Sequence, residues 1–245
     1  MTTARRLPPP RSLAAICALG GSALLLTACS GTGTTGSSAE AAEASPTSSM
    51  SAPMSSPSPS GSLTQDQTER RDLIPKAHVT WDKAADTAVK EVSGGKLVGI
   101  ELKSVSHDTM NSSGSPSPSM PNPAPSQGAA EWVAKVAAAD GTVHRVDVDA
   151  ANGKVFRSQA EPGQDSGDKS KIADRLKKAA KTPAQAAKTA TDKTKGTVTA
   201  VSLDENNSHK LVWSVDVVDT KNWNKTTYDV DAANGNVLRQ HVDRD

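Results

Sequence analysis

Apolar and polar residues alternate along two stretches of the chain that match each other almost residue for residue. Residues 146–153 read Val-Asp-Val-Asp-Ala-Ala-Asn-Gly, and residues 228–235 read Tyr-Asp-Val-Asp-Ala-Ala-Asn-Gly. A period of two predicts a half-buried strand, and the Asn-Gly pair predicts a tight turn because both residues tolerate positive φ angles. The sequence therefore contains an internal repeat, and each copy ends in a strand and a turn.

Two further strands are predicted upstream of this ending in each copy. The middle strands, residues 131–136 and 212–217, each contain a tryptophan, and the first strands are residues 97–102 and 198–203. Alternation places one set of residues from each copy on the inner face of a sheet. These are Ile100, Leu102, Trp132, Ala134, Val136, Val146 and Val148 in the first copy, and Val201, Leu203, Trp213, Val215, Val217, Tyr228 and Val230 in the second. The aspartates between the valines are expected on the solvent face.

One helix is predicted before the strands of each copy. Thr80 can cap the first helix, and a pair of glycines follows it. In the second copy Thr182 is followed by proline at the first helical position and glutamine at the third, which is typical of a capping box. Each copy is thus predicted as a helix packed on a three-stranded antiparallel sheet, and the fold class as α+β.

The low aromatic content argues against one large core. The chain has 245 residues, of which 2% are aromatic, and a mean hydropathy of −0.49. We therefore expect two small cores that fold separately: a first repeat over residues 72–160 and a second repeat over residues 170–245. A disordered Ser/Pro-rich insertion is predicted near residues 109–128, and a polar linker is predicted over residues 161–169.

The N-terminal segment has the features of a signal peptide with a lipidation site. Arginines precede an apolar run over residues 13–28, which is too short for a comfortable membrane span. The run ends in Leu-Thr-Ala before Cys29, which resembles the lipobox of bacterial lipoproteins. We expect residues 1–28 to be removed and Cys29 to be acylated. An ordinary secretory signal with an incidental cysteine is the alternative.

The segment after Cys29 is predicted to be a tether. Residues 29–65 are rich in Ser, Thr, Pro, Gly and Ala and contain almost no large apolar side chains, so they cannot bury enough surface to offset the entropy of ordering. Two or three acyl chains hold a protein firmly to a membrane. The sequence therefore predicts a lipid-anchored protein on the outer face of the cytoplasmic membrane of a bacterial cell envelope.

With its helix, tryptophan strand and Asp-Ala-Ala-Asn-Gly ending, each copy resembles a PepSY domain, and the chain resembles a tandem of two. The resemblance covers residues 76–158 and 180–240. The family is known from the propeptides of secreted metallopeptidases and from cell-surface and lipid-anchored proteins. The resemblance implies a non-catalytic module that binds or restrains a peptidase, or senses something in the envelope. It offers no catalytic residue to carry over.

Charge and motif spacing argue against several other classes of function. Three of the 28 basic side chains fall within residues 1–28, which leaves 25 against 27 acidic ones, and no basic stripe indicates nucleic acid. The Asp-x-Asp-x-x-Asn-Gly pattern lacks the ligand positions and the closing acidic residue of a calcium loop, and the five histidines occur singly. We expect no cofactor, no metal site and no catalytic residue, and hence not an enzyme.

Trp223 is the candidate residue for a partner contact. It lies between two asparagines in a hairpin loop, where an exposed tryptophan can anchor a partner. Folding of its ring back onto the sheet is the alternative. The leading hypothesis is a lipid-anchored extracytoplasmic binding module that inhibits or regulates a secreted or cell-surface peptidase. A structural or sensory component of the envelope, without a peptidase partner, is the alternative function.

Overall fold

Eight antiparallel strands form one continuous sheet in the computed structural model, which describes residues 62–106 and 122–244. The strands are β1 (Lys96–Ser104), β2 (Ala130–Ala137), β3 (Val143–Asp149), β4 (Val155–Ala160), β5 (Thr197–Glu205), β6 (Leu211–Val218), β7 (Lys225–Asp231) and β8 (Val237–Asp243). Their order across the sheet is β4-β3-β2-β1-β5-β6-β7-β8. The two repeats therefore lie side by side and meet at β1 and β5.

Four α-helices accompany the sheet, which confirms the α+β class. They are α1 (Gln65–Leu73), α2 (Trp81–Lys90), α3 (Ser166–Lys178) and α4 (Pro183–Lys193), and a short 3-10 helix, Ile74–Lys76, follows α1. Thr182 caps α4 as predicted, because its hydroxyl accepts from the backbone N–H of Gln185 at 3.2 Å and completes a capping box. Thr80 also stands at the cap position of α2, but its side chain forms no capping hydrogen bond.

A short ladder between β1 and β5 joins the two repeats. Its pairs are Ile100 with Val201, Gly99 with Ser202, and Glu101 with Ala200. Ile100 and Val201 hold the same position in the two copies of the sequence. An approximate two-fold axis therefore passes between them, perpendicular to the sheet. The repeats meet as two copies of one unit meet in a symmetric dimer.

The inner face predicted from the sequence is the face that α2 and α4 cover. Every residue predicted to point inward belongs to one hydrophobic cluster, which also contains three buried alanines from each of these helices. The small helical side chains let the helices approach the sheet closely, and the buried Trp132 and Trp213 supply much of the apolar area. The cluster includes residues of both repeats. Separate folding of either repeat stays a prediction.

The structure adds a fourth strand and a leading helix to each repeat. β4 pairs with β3, and β8 pairs with β7, at the two ends of the sheet. α3 begins within the predicted linker, and α1 begins at the last residue of the predicted tether. The sequence pattern did not indicate α1 or α3 because neither helix has a buried residue, and both begin at polar caps, Thr64 and Asp165.

The predicted signal peptide, Cys29, most of the tether and most of the insertion lie outside the described residues. At the base of the insertion, the backbone N–H of Val105 donates to the carbonyl of Ala129 at 2.9 Å, so the insertion leaves and re-enters at neighbouring ends of β1 and β2. In the part of the chain that the structure describes, no helix is long and apolar enough to cross a membrane.

Candidate functional site

Two tryptophans fix the helices to the sheet in the same way in both repeats. The indole Nε1 of Trp213 donates to the carbonyl of Lys181 at 2.8 Å, and that of Trp132 donates to the carbonyl of Val79 at 2.8 Å. Each carbonyl belongs to the residue that precedes a helix cap. Each buried indole N–H thus has a hydrogen-bond partner, and this bond positions the start of α2 or α4. These tryptophans have a structural role.

The Asp-Ala-Ala-Asn-Gly turns are held by their own polar side chains. The carboxylate of Asp231 accepts from the backbone N–H of Ala233 at 2.8 Å and from the side-chain amide of Asn234 at 3.1 Å. Asn234 in turn accepts from the backbone N–H of Asn236 at 2.9 Å. The turn at Asp149 has the same pattern. Among the described residues, no group of three or more His, Cys, Asp or Glu could hold a metal ion.

Two aspartates that alternate with valines are buried, so the expectation that they face solvent is wrong. Asp229 is 5% exposed, and its carboxylate accepts from Nε of Arg239 at 2.8 Å. Asp147 is 0% exposed and lies 3.3 Å from Nε of Arg157. A buried charge requires a partner, and the outermost strand of each repeat supplies the arginine. In both copies the aspartate and the arginine are ten residues apart, and this repeated spacing is the sequence signal that could have indicated the two buried ion pairs.

A second arginine approaches the buried carboxylate of the first repeat. Nε of Arg145 donates to Asp147 at 2.8 Å. Burial acts to lower the pKa of Arg145, but the hydrogen bond and the charge of Asp147 outweigh this effect, so the pKa is raised. Asp147 therefore lies between two guanidinium groups, whereas one guanidinium, that of Arg239, pairs with Asp229 in the second repeat.

A concavity of about 420 Å³ opens in the second repeat, on the face of the sheet opposite α2 and α4. We call it the β5–β8 concavity. Its wall is the end of β5 and the loop that follows, residues 204–208, its floor contains Val212 and Ser214, and its rim is Leu238 and Arg239. Leu238 is 39% exposed, and no other large apolar residue of the described chain is classed as exposed. A volume of this size lies within the usual range for binding sites.

The residues of the first repeat that correspond to the rim of this concavity are buried. Phe156 and Arg157 stand where the second repeat has Leu238 and Arg239, and they are 1% and 4% exposed. Glu131 and its counterpart Val212 are both buried, at 1% and 2% exposed, so the two repeats do not differ at this position. By contrast, the side chain of Arg239 is 62% exposed. Among the described residues, the two repeats therefore differ at the outer strand, where Leu238 and Arg239 are exposed and Phe156 and Arg157 are buried.

A smaller cavity of about 150 Å³ lies between α1 and the sheet. Arg70, Asp216 and Lys225 are among its lining residues. Burial raises the pKa of Asp216, and the hydrogen bond from Thr227 Oγ1, at 2.6 Å, together with the charge of Lys225 offsets this only in part. The Lys225 ammonium is 3.9 Å from the Asp216 carboxylate, too far for a strong ion pair.

The helix α1 precedes the first repeat in sequence but binds the second. Arg70 donates to the carbonyl of Trp223 at 2.9 Å and to the carboxylate of Asp243 at 2.7 Å. Gln67 donates to the side chain of Asn224 at 2.8 Å. The ring of Trp223 is half-buried and packs against the hydrophobic cluster, and its φ is 61°. The backbone of Trp223 thus anchors α1, and a partner contact through its ring stays a prediction.

Comparisons with known proteins place the second repeat in a family. A candidate lipoprotein from Clostridium difficile 630 is 19% identical, with 67% of this chain and 93% of that chain covered and a TM-score of 0.38. The YpmB protein from Bacillus subtilis is 18% identical, with 66% and 97% covered and a TM-score of 0.26. No curated protein sequence matches the chain. The family described as "Peptidase propeptide and YPEB domain" matches residues 180–241, so this part of the chain is a PepSY domain.

Proposed function

We propose that this protein is a non-catalytic, lipid-anchored module outside the cytoplasmic membrane that binds and regulates a secreted or cell-surface peptidase. The PepSY domain supports an extracytoplasmic regulatory module, because this domain type is named for peptidase propeptides. The observation that carries the proposal is the location of the open surface. The β5–β8 concavity lies within the repeat that matches the PepSY family.

The chemistry of the β5–β8 concavity suits a protein partner. Leu238 offers an apolar anchor at the rim, and the carboxylate of Asp204 lies on the wall beside that of Glu205, which accepts from Nε of Arg175 at 3.1 Å. The charge of Arg239 is largely matched by Asp229. A partner segment that places an apolar side chain beside a lysine or arginine would therefore complement the surface. Such binding is non-covalent and needs no nucleophile, metal or cofactor.

Depletion of peptidase activity tests this function. The mature chain with Cys29→Ala, which removes the acyl acceptor, is immobilised and incubated with the secreted proteins of the host cell. Peptidase activity on a fluorescent casein substrate is then measured before and after incubation. Leu238→Glu introduces a charge at the rim of the concavity. Gln240→Glu introduces the same charge on the same strand but on the opposite face, because Gln240 pairs with the inward-pointing Tyr228.

We expect the unsubstituted chain and the Gln240→Glu variant to deplete the activity equally, and Leu238→Glu to deplete it at least tenfold less. Equal depletion by both variants would place the contact elsewhere on the protein. If the unsubstituted chain depletes no activity, the peptidase hypothesis is refuted, and a structural or sensory role in the envelope remains.

A further inference from the structure

Trp223 has a backbone conformation that is unusual for a bulky residue. Its φ of 61° lies in the left-handed region, where a side chain crowds its own backbone. Gly141 is the equivalent residue of the first repeat, because in both loops this residue donates its N–H to the carbonyl of the first loop residue. The φ of Gly141 is 87°, which glycine adopts without strain. The β6–β7 loop, residues 219–224, therefore holds strain that the β2–β3 loop does not.

The helix α1 holds the β6–β7 loop in this conformation through polar contacts. Arg70 donates to the carbonyl of Trp223 at 2.9 Å and to the carboxylate of Asp243 at 2.7 Å, and Gln67 donates to the side chain of Asn224 at 2.8 Å. The side chain of Arg70 is 13% exposed, so its charge-assisted bonds are largely shielded from water. Because the direction of the Trp223 carbonyl depends on the dihedral angles of that residue, the bond from Arg70 favours the left-handed conformation.

Little apolar burial opposes detachment of α1. The helix has no buried residue, and the first buried position after it is Ile74, in the 3-10 helix that follows. Leu73, the last residue of α1, is partly buried against the hydrophobic cluster. Detachment that stops at Leu73 would thus leave the cluster intact. A helix of nine residues is marginal in water by itself, so the released segment would also unfold.

The first repeat has an equivalent contact without the strain. A Cβ atom on Gly141 would collide with the backbone carbonyl of Lys169, so α3 packs directly on the backbone of the β2–β3 loop. The loop under α3 is relaxed, whereas the loop under α1 contains a left-handed tryptophan. This contrast singles out the contact between α1 and the β6–β7 loop as the one that is built to open.

We propose that α1 and the β6–β7 loop form a latch whose opening exposes Trp223. In the closed state Arg70 holds the residue left-handed, and its ring packs on the hydrophobic cluster. When α1 detaches, the strain drives Trp223 to a negative φ. This rotation redirects its Cβ, so the ring leaves the cluster and is presented to a partner. The latch requires neither the lipid anchor nor a peptidase, although a load on an anchor at Cys29 would reach the folded chain through α1.

Hydrogen exchange followed by mass spectrometry tests the coupling in the mature chain with Cys29→Ala. Arg70→Gln removes the guanidinium that binds the loop. Arg71→Gln is the matched control, because Arg71 lies on the same helix, is 48% exposed and pairs with its neighbour Asp72. We expect Arg70→Gln to raise exchange about tenfold in residues 65–72 and in residues 219–224 alike, and Arg71→Gln to change either by less than about twofold. Residues 138–142, in the relaxed loop, should not change, which shows that the fold is intact.

The indole N–H resonances in an amide NMR spectrum report the ring. The signal of Trp223 is identified by its loss in Trp223→Phe. In Arg70→Gln it should move toward the position of free tryptophan, whereas the signals of Trp132 and Trp213, which donate to backbone carbonyls, should stay in place.

Two substitutions of Trp223 test the strain. Trp223→Ala and Trp223→Asn both remove the ring, but asparagine tolerates the left-handed region better than alanine. Residues 65–72 should therefore exchange about threefold more slowly in Trp223→Asn. The proposal is overturned if Arg70→Gln accelerates exchange in α1 but not in the loop, if the Trp223 indole signal does not move, or if Trp223→Asn exchanges no more slowly than Trp223→Ala.

Discussion

Replacement of Trp213 by alanine should remove a large part of the stability of the folded chain. The side chain is 2% exposed and lies between α4 and the sheet. A buried tryptophan contributes about 150 to 250 Å² of area, worth roughly 4 to 6 kcal/mol at 25 cal/mol per Å². The extended-chain reference inflates that value, so we expect a loss of about 3 to 5 kcal/mol.

Part of this loss comes from the hydrogen bond to Lys181. Without the indole, the half-buried Lys181 carbonyl loses its side-chain donor, and an acceptor left unsatisfied away from water costs about 1 to 3 kcal/mol. Trp213→Phe keeps most of the apolar area and removes this bond. It should therefore destabilise by about 1 to 3 kcal/mol, which separates the polar effect from the loss of packing.

Trp223→Ala is the comparison variant. Its ring is half-buried at the hydrophobic cluster, and its contact with α1 is made by the backbone, which the substitution keeps. We expect a loss of about 1 to 2 kcal/mol. Urea denaturation followed by far-ultraviolet circular dichroism measures the free energy of unfolding of all three variants. Equal losses for Trp213→Ala and Trp223→Ala would refute the assignment of Trp213 to the core.

Three further predictions concern other parts of the chain. Cys29→Ala should abolish incorporation of an alkyne fatty acid in cells, because alanine offers no acyl acceptor; label on the substituted protein would contradict the anchor. Burial raises the pKa of Asp216 in the folded protein above its value in the unfolded chain. The contribution of the neutral carboxyl to stability is therefore complete below the unfolded pKa and is lost as the pH rises through the folded pKa. Asp216→Asn should therefore raise the melting temperature more at pH 7 than at pH 4, and the opposite order would contradict this sign. Residues 165–245 alone should give a dispersed amide NMR spectrum but melt below the full chain, since they lose the β1 pairing and the Arg70 contacts; dispersion only after addition of the first repeat would show that the second repeat does not fold alone.

The equivalence of the two repeats at Trp132 and Trp213 could be read from the sequence, and so could the inner face of the strands in each repeat. These features follow from local periodicity, since alternation of apolar residues determines which side of a strand can be buried. The caps at Thr80 and Thr182 and the Asn-Gly turns have local signatures for the same reason. The PepSY resemblance rests on these local features.

Only the tertiary structure determined how the two repeats pair into one sheet and where the candidate site lies. Pairing of Ile100 with Val201 joins residues about one hundred positions apart, and no local pattern specifies it. Asp229 has the sequence context of an exposed residue, but Arg239 on the neighbouring strand neutralises it and allows its burial. Leu238 and Phe156 are both apolar residues on outer strands, and only the surrounding fold leaves one open and buries the other. Exposure depends on which distant segments pack on a residue, and this is why periodicity alone could not locate the candidate binding surface.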